Sequence, residues 1–451
     1  MEFKNSCTSK EVIENKIKNK TAMVGVIGLG YVGLPIAMEL AKSGINVVGI
    51  DISEYKISQL NQGKSYILDV PELTLKQAIE TNHFRATPDF QAISDLDAVI
   101  ISVPTPLNRN QEPDTAHLKN VADNILTHMV PGKPLLISLE STSYPGTTRE
   151  LFADFFDNHG KKQNEDYFLC FSPERVDPGN KEFQSNNTPK VIGGLTSESS
   201  ELGELLYKLV TNQVFRVKTL ETAEMSKLLE NTFRSVNIAF INEMSLMCER
   251  MGIDIWETID AASTKPFGFM PFYPGPGVGG HCIPLDPMYL YWKGKEHKFF
   301  NRFIETSQEI NMNMPYSVVD KIQQALNNQE KALNGGKILL VGVAYKSNIN
   351  DVRESPSLDI YEILKQWQTN IDVLDPFVKS FRDKNGNVVN VLSPEVCDFS
   401  DYDCAVVLVN HSNMDYDSLL EKSLAIVDMC NVYKSKTSNK INRIGGGGKL
   451  S

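Results

Sequence analysis

The sequence predicts an α/β protein in which two doubly wound sheet domains are joined by a helical core. Three observations lead there. Short β-branched runs alternate with amphipathic stretches near the start; the stretch 221–250 then contains neither Gly nor Pro; and the α/β alternation restarts after residue 333. At 451 residues the chain is too long for one ordinary core and suggests about two or three domains.

In the first region the strand candidates are AMVGVIG (22–28), NVVGID (46–51), AVIISV (98–103) and PLLISLES (134–141), with helical stretches such as 33–43 and 116–129 between them. Strand–helix–strand repetition with apolar strands means a parallel sheet covered on both faces, so residues 21–208 form the first domain. From 209 to 332 the texture changes. ETAEMSKLLENTFRSVNIAFINEMSLMCER (221–250) carries apolar residues at helical spacing and reads as a long helix, continuing through MGIDIWETIDAAS toward another. Residues 297–330 are helical again after the loop 265–287. A segment of this kind joins two sheet domains and offers a dimer surface. The third region, 333–440, restarts with GKILLVGVAY (336–345), a helix over 357–367, NIDVLDP (370–376), DCAVVLVN (403–410) and LAIVDMC (424–430). Residues 441–451, ending in GGGGKLS, read as a flexible tail.

Composition removes several function classes. The chain is 41% hydrophobic and 22% charged, as in a globular protein. A net charge of -11 argues against a nucleic-acid partner, which needs a basic surface to displace phosphate counterions. The cysteines, Cys7, Cys170, Cys248, Cys282, Cys397, Cys404 and Cys430, are odd in number and form no CxxC pair. They read as reduced thiols, not as a disulfide framework or a metal site. The opening MEFKNSCTSKEVIENKIKNK lacks the apolar core of a signal peptide, and no run approaches the roughly 20 apolar residues of a spanning helix. The expectation is a cytoplasmic protein without a membrane partner.

GLGYVG (28–33) follows a strand and opens a helix, which places Gly28, Gly30 and Gly33 in the GxGxxG pattern. The first glycine allows the tight turn, the second lets backbone approach a pyrophosphate, and the third permits close packing of helix on strand. The helix N-terminus then offers N–H groups and a positive dipole end to the phosphates. Asp51 ends the second strand, where a carboxylate accepts from both ribose hydroxyls and repels a 2′-phosphate. The expected cofactor is therefore NAD, with NADP and FAD as alternatives on the same scaffold.

PFYPGPGVGGHCIPLDP (271–287) is too rich in Pro and Gly for helix or strand, yet holds Cys, His and Asp together. Such loops permit close backbone approach to a ligand. Cys248, inside the apolar pattern of the long helix, reads as a core residue. Spacing alone leaves Cys282 open between a packing cysteine and a nucleophile. Chemistry gives its sulfur a task. Oxidising an alcohol to a carboxylate needs two hydride transfers, and an aldehyde cannot give the second directly. A thiolate adding to the aldehyde makes a thiohemiacetal with a transferable hydride, and the thioester left behind is hydrolysed.

Taken together, GLGYVGLP, SVPTPL, ESTSYPGT, FSPERVDPG, AEMSKLLEN, GVGGHCIPLDP and GVAYKSNINDVRESPS resemble the UDP-glucose/UDP-N-acetylhexosamine dehydrogenase family, over residues 21 to about 430. The resemblance implies a Rossmann domain, a helical core that dimerises, and a second α/β domain that binds the UDP-sugar. It implies Cys282 as nucleophile, and Lys227 and Asn231, four apart on one helix face, as stabilisers of oxyanions. Asp286 is implied to orient or activate water, and Thr142 and Glu174 to handle water or protons near the sugar. Tyr31, Val32, Thr105 and Thr142 are implied to join the glycines and Asp51 around NAD, with Arg353 reaching the pyrophosphate. Glu174, Arg175, Lys227, Asn231, Phe272, Tyr273, Gly277, Gly279 and Lys346 are implied to meet the UDP-sugar.

One departure stands out. UDP-glucose members carry a second Glu four residues after the position of Glu174, where this chain has Pro178, with Asp177 beside it. The loop also reads GGHCIPLDP, not GGSCFPKD. Both features resemble the branch that oxidises UDP-N-acetylhexosamines, UDP-N-acetylglucosamine at C6 first, to uronic acids for polysaccharide synthesis. UDP-N-acetylmannosamine and UDP-glucose are the alternatives within the family. A two-electron dehydrogenase of the hydroxy-acid or 6-phosphogluconate type shares the first domain and helical core. A non-catalytic NAD or nucleotide sensor is the reading from another class.

Overall fold

The computed structural model describes residues 7–67, 69–108, 110–175, 182, 186–280 and 282–447. They fall into two compact units. One runs to Glu230 and includes Trp292–His297; the other is formed by Asn231–Tyr291 with the chain from Lys298 onward.

The strands of the first unit are β1 (Met23–Ile27), β2 (Asn46–Ile50), β3 (Phe84–Thr87), β4 (Ala98–Ile101), β5 (Leu135–Leu139), β6 (Tyr167–Phe171), β7 (Lys190–Gly194) and β8 (Val214–Val217). They make one eight-stranded sheet in the order β3-β2-β1-β4-β5-β6-β7-β8. Alternation along each strand feeds two cores at once. Val24, Val26, Ala98 and Ile100 belong to one apolar layer, while Ile27, Val99 and Ile101 belong to the other. The helix Gly33–Lys42 packs into the first layer through Leu34, Ile36, Ala37, Met38, Leu40 and Ala41.

The expected parallel sheet is found with one departure, since β6 and β7 pair antiparallel while the other neighbours are parallel. Antiparallel neighbours, unlike parallel ones, need no crossover element to join them. Pro178 and Asp177 of the departure noted above lie outside the described residues, as do residues 448–451.

In the second unit the strands are β9 (Lys337–Val341), β10 (Asn370–Leu374), β11 (Ser380–Arg382), β12 (Val388–Asn390), β13 (Cys404–Val407), β14 (Ile426–Asp428) and β15 (Ile441–Arg443). Five form a parallel sheet in the order β10-β9-β13-β14-β15, and β11-β12 form a separate antiparallel pair. The run β10-β9-β13 repeats the order β2-β1-β4, in which the winding reverses at the first strand. The helix Arg302–Asn327 lays Met314, Val318, Ile322 and Leu326 into the same core as Ile338, Leu340, Val406 and Val427 of the sheet.

A flexible tail beginning at residue 441 is not what the structure contains. The strand β15 pairs in parallel register with β14, Ile426 opposite Ile441. Ile444 is fully buried, and its carbonyl accepts the indole N–H of Trp256 at 2.9 Å. The glycine run hid this short apolar docking element. Among the described residues no helix is long and apolar enough to cross a membrane.

Because Ile444 fills a closed site, Ile444→Ala is expected to destabilise the second unit by about 2–4 kcal/mol. Urea unfolding followed by tryptophan fluorescence measures this, and a midpoint equal to that of the wild type would show that the segment does not dock.

Candidate active site

In the first unit the glycine turn after β1 is built as its pattern requires. Gly28 lies at φ +92°, where a side chain is strained, and a Cβ there would stand 2.5 Å from the Ser102 carbonyl oxygen. A Cβ on Gly33 would stand 1.9 Å from the Gly28 carbonyl oxygen, so helix and turn touch backbone to backbone. A Cβ on Gly30 would meet nothing within 4 Å. The turn is therefore closed behind Gly28 and Gly33 and open at Gly30, which is the arrangement a pyrophosphate needs. Val32 at the helix start makes no side-chain capping bond, which leaves the N-terminal dipole end available to phosphate.

Asp51 is buried at the end of β2 and holds the turn. It accepts from the Leu29 N–H at 2.9 Å, the Ser53 N–H at 3.0 Å and the Lys56 ammonium at 2.8 Å. Lys56 carried no sequence signal. Of the other residues expected around NAD, Tyr31 is exposed, Val32 half-buried and Thr105 buried.

Thr142 follows β5 and accepts from the Lys227 ammonium at 2.7 Å. Lys227 is buried on the helix Leu220–Arg250, so this lysine and threonine, both expected in the site, are in contact. One turn earlier on that helix, Glu224 grips the same segment. Its carboxylate accepts from the Gly146 N–H at 2.6 Å, the Thr148 N–H at 2.8 Å and the Thr148 hydroxyl at 2.6 Å. Sequence reasoning passed over Glu224, although its place three residues before Lys227 was a usable signal. Burial pushes its carboxyl up to about 7.

Glu174 belongs to a buried charge cluster. The Lys190 ammonium lies 3.2 Å from Glu174 and 3.1 Å from Glu140, and both Lys190 and Glu140 are almost fully enclosed. Burial pushes the Glu140 carboxyl up. Burial would lower the Lys190 ammonium, but its two carboxylate neighbours overcome this and raise it. Removing one partner from such a cluster costs about 3–5 kcal/mol. Neither Glu140 nor Lys190 was singled out from sequence, because a lone Lys at a strand start has no pattern. The Arg175 guanidinium is held by Glu230 at 2.8 Å and by the Pro189 carbonyl at 2.9 Å.

In the second unit two expected residues share one turn of the cysteine loop, and a third reaches it from the helix Leu220–Arg250. The Asp286 N–H donates to the Cys282 carbonyl at 2.8 Å, and the Asn231 amide donates to the Asp286 carboxylate at 2.6 Å. Cys282 is exposed, whereas Cys170, Cys248 and Cys404 are buried. Burial pushes the Cys170 and Cys404 thiols up to about 12, which keeps them protonated.

The glycines of this loop are needed for close packing. A Cβ on Gly279 would stand 2.8 Å from the Glu354 carbonyl oxygen, and one on Gly280 2.8 Å from the Tyr345 ring. The Gly280 N–H donates to the Arg353 carbonyl at 3.1 Å. Gly277 is close to Pro356. The loop therefore lies directly on the segment that carries Lys346, which is half-buried, and Arg353. The Arg353 guanidinium is held by Asp351 at 2.6 Å. Phe272 packs edge-on against Phe233, and Tyr273 stacks on Trp256 and donates to Asp260 at 2.8 Å. Both rings thus have a packing role within this unit.

A glycine turn open to a pyrophosphate on a doubly wound sheet defines a dinucleotide-binding protein. Comparison with known proteins gives the family. Residues 22–211 match the NAD binding domain of the UDP-glucose/GDP-mannose dehydrogenase family, 221–313 its central domain and 339–435 its UDP binding domain. The chain belongs to this family of NAD-dependent nucleotide-sugar dehydrogenases. It is 37% identical to the UDP-N-acetyl-D-glucosamine 6-dehydrogenase of Pseudomonas aeruginosa, over 80% of this chain and 84% of that one. It is 34% identical to the NDP-N-acetyl-D-galactosaminuronic acid dehydrogenase of Ralstonia nicotianae, over 92% and 96%. The solved UDP-D-ManNAc dehydrogenase of Pyrococcus horikoshii superposes with a TM-score of 0.85 at 30% identity, covering 94% of this chain and 99% of that one.

Glu224 links the ESTSYPGT segment to pH. Its folded value of about 7 stands above the ordinary 4.5, so the folded chain binds its proton more tightly than the unfolded one. The stability it contributes is complete below pH 4.5 and is lost as pH rises through 7, an effect on the order of 3 kcal/mol. Unfolding of wild type and Glu224→Gln, whose neutral amide stands in for the protonated carboxyl, is expected to agree below pH 4.5 and to diverge as pH rises through 7, wild type losing stability; parallel curves would refute the linkage.

Proposed function

We propose that the chain oxidises C6 of a UDP-N-acetylhexosamine, UDP-N-acetylglucosamine first, to the uronic acid in two NAD-dependent steps, through a covalent intermediate on Cys282. The observation that carries this reading is the turn in which the Asp286 N–H meets the Cys282 carbonyl, while the Asn231 amide reaches the Asp286 carboxylate from the helix Leu220–Arg250. The residues at the glycine turn fit a dinucleotide, and NAD bound there supplies the hydride acceptor for each oxidation.

The chain's own residues do the remaining work. The Lys227 ammonium, beside Thr142, stabilises the oxyanion that develops at C6. Cys282 Sγ adds to the aldehyde carbon to form the thiohemiacetal, whose oxygen is met by the Asn231 amide. Its oxidation leaves a thioester. Asp286 directs water to that carbonyl carbon, the C–S bond breaks, and the thiolate is restored. Lys190, buried between Glu174 and Glu140, holds Glu174 in place for water or proton handling. Lys346 and the glycine backbone at 275–280 hold the UDP portion.

The preference among hexosamines rests on GHCIPLDP and on the 37% identity to the UDP-N-acetyl-D-glucosamine 6-dehydrogenase of Pseudomonas aeruginosa. The product serves polysaccharide synthesis, and the reaction takes place in the cytoplasm. A sensor without turnover is the weaker reading, because it gives no reason for the Asn231–Asp286–Cys282 contacts.

Wild type is expected to release two NADH per UDP-N-acetylglucosamine, more efficiently than with the mannosamine, galactosamine or glucose analogues. Cys282→Ser is expected to bind both ligands but lose at least about 1000-fold in uronate formation. Undiminished uronate from that variant would exclude the covalent path, one NADH per sugar would exclude the four-electron reaction, and a better analogue would reassign the sugar.

We also propose a homodimer formed through the helix Leu220–Arg250. Within the second unit Phe233, Phe240 and Met247 are exposed at heptad spacing on that helix. Phe240→Glu is expected to yield monomers in sedimentation equilibrium, and a dimer of unchanged strength would place the interface elsewhere.

A further inference from the structure

The second unit repeats the turn that holds the dinucleotide pattern in the first. Gly342 lies at φ +92°, as Gly28 does, and each donates its N–H to the last residue of the neighbouring strand at 2.8 Å. Val343 then donates to Asp375 at 2.8 Å, in the way Leu29 donates to Asp51. The two carboxylates have different surroundings. Asp51 is met by two N–H groups and a lysine. Asp375 is met by the N–H groups of Val343, Ala344, Phe377 and Val378 at 2.8–3.2 Å and by His411 Nε2 at 3.1 Å. An ionised carboxylate has about four lone-pair sites. Five donors saturate it, and it has no acceptor left for ribose hydroxyls.

His411 is fully buried, and its tautomer follows from its neighbours. The Asn348 N–H donates to Nδ1 at 3.0 Å, so the ring proton sits on Nε2 and is given to Asp375. Asn348 is held at φ +62°, and its side-chain oxygen accepts from the Ser412 N–H at 2.9 Å and hydroxyl at 3.0 Å. The turn 343–348 is thus fastened at its start by Asp375 and at its end by His411 and Ser412. Lys346 lies between these fastenings.

We propose that His411 is a positioning residue for the UDP end of the substrate: with Asp375 it converts a dinucleotide-type turn into a rigid platform that presents Lys346. The inference rests on the reading of Lys346 as a substrate contact. It makes the second unit a nucleotide-diphosphate binder that has given up the ribose-carboxylate contact of the first.

Calorimetry with UDP and, separately, with NAD on the full chain tests this. His411→Leu removes both ring hydrogen bonds, and UDP is expected to bind roughly three- to tenfold more weakly, the cost of about one hydrogen bond, with NAD affinity unchanged. His411→Gln, which can still donate and accept, restores most of the loss. Asn348→Gly keeps the left-handed backbone without strain but loses the tether to Ser412, and weakens UDP in the same direction should the leucine variant not fold. UDP affinity within about twofold of wild type in these variants, or NAD affinity falling in step with UDP, overturns the proposal. If Lys346→Ala alone weakens UDP, the substrate reading stands and only the role of His411 fails; if Lys346→Ala binds UDP as wild type does, both fall.

Discussion

The chain depends on one backbone constraint, imposed twice. After the first strand of each sheet the backbone must turn at positive φ while its N–H stays on the neighbouring strand, so Gly28 and Gly342 both sit at +92°. The carboxylate ending that neighbouring strand, Asp51 or Asp375, then takes the next N–H and fixes where the turn stands. Everything functional in either sheet is placed relative to these turns. In the first unit the helix Gly33–Lys42 can meet the turn only because Gly33 lacks a Cβ. In the second, Gly279 and Gly280 allow the cysteine loop to lie on the segment that follows the turn.

Buried charge is the second organising element, and it is paired almost wherever it occurs in the site. Lys190 joins Glu140 to Glu174, Lys227 donates to Thr142, and Glu224 receives three donors from residues 146–148. An unpaired ion in these positions would be costly, so each group restrains its partner. The helix Leu220–Arg250 supplies Glu224, Lys227 and Asn231 at spacings of three and four, and Asn231 holds Asp286 in the cysteine turn. A single regular element thereby sets the order of the side chains assigned to oxyanion and water handling.

Much of this was legible in the sequence. The four strand candidates of the first region correspond to β1, β2, β4 and β5, and the long helix begins within one residue of its expected start. The helix is long and periodic, and the strands are continuous apolar, β-branched-rich runs, which is where local pattern is strongest. The strands β3, β6, β7 and β8 were not singled out, nor was the antiparallel β6–β7 pair: β3 and β8 are four-residue edge strands, and strand character depends on the neighbours a strand packs against. The strand β15 was mistaken for tail, since INRI is too short to signal docking without the core that receives it.

Residue types and spacing alone determined the dinucleotide turn, the helix face carrying Lys227 and Asn231, and the odd loop around Cys282. Those features are local, and backbone conformation or i,i+4 geometry makes them readable in one dimension. Only the tertiary structure decided that Asp375 is saturated by His411 while Asp51 is met by Lys56, that Lys190 ties Glu174 to Glu140, and that Arg353 is held by Asp351. Hydrogen bonding and charge pairing act over a few ångströms of space, and the partners of a buried polar group are set by which strands and loops the fold brings together, not by distance along the chain.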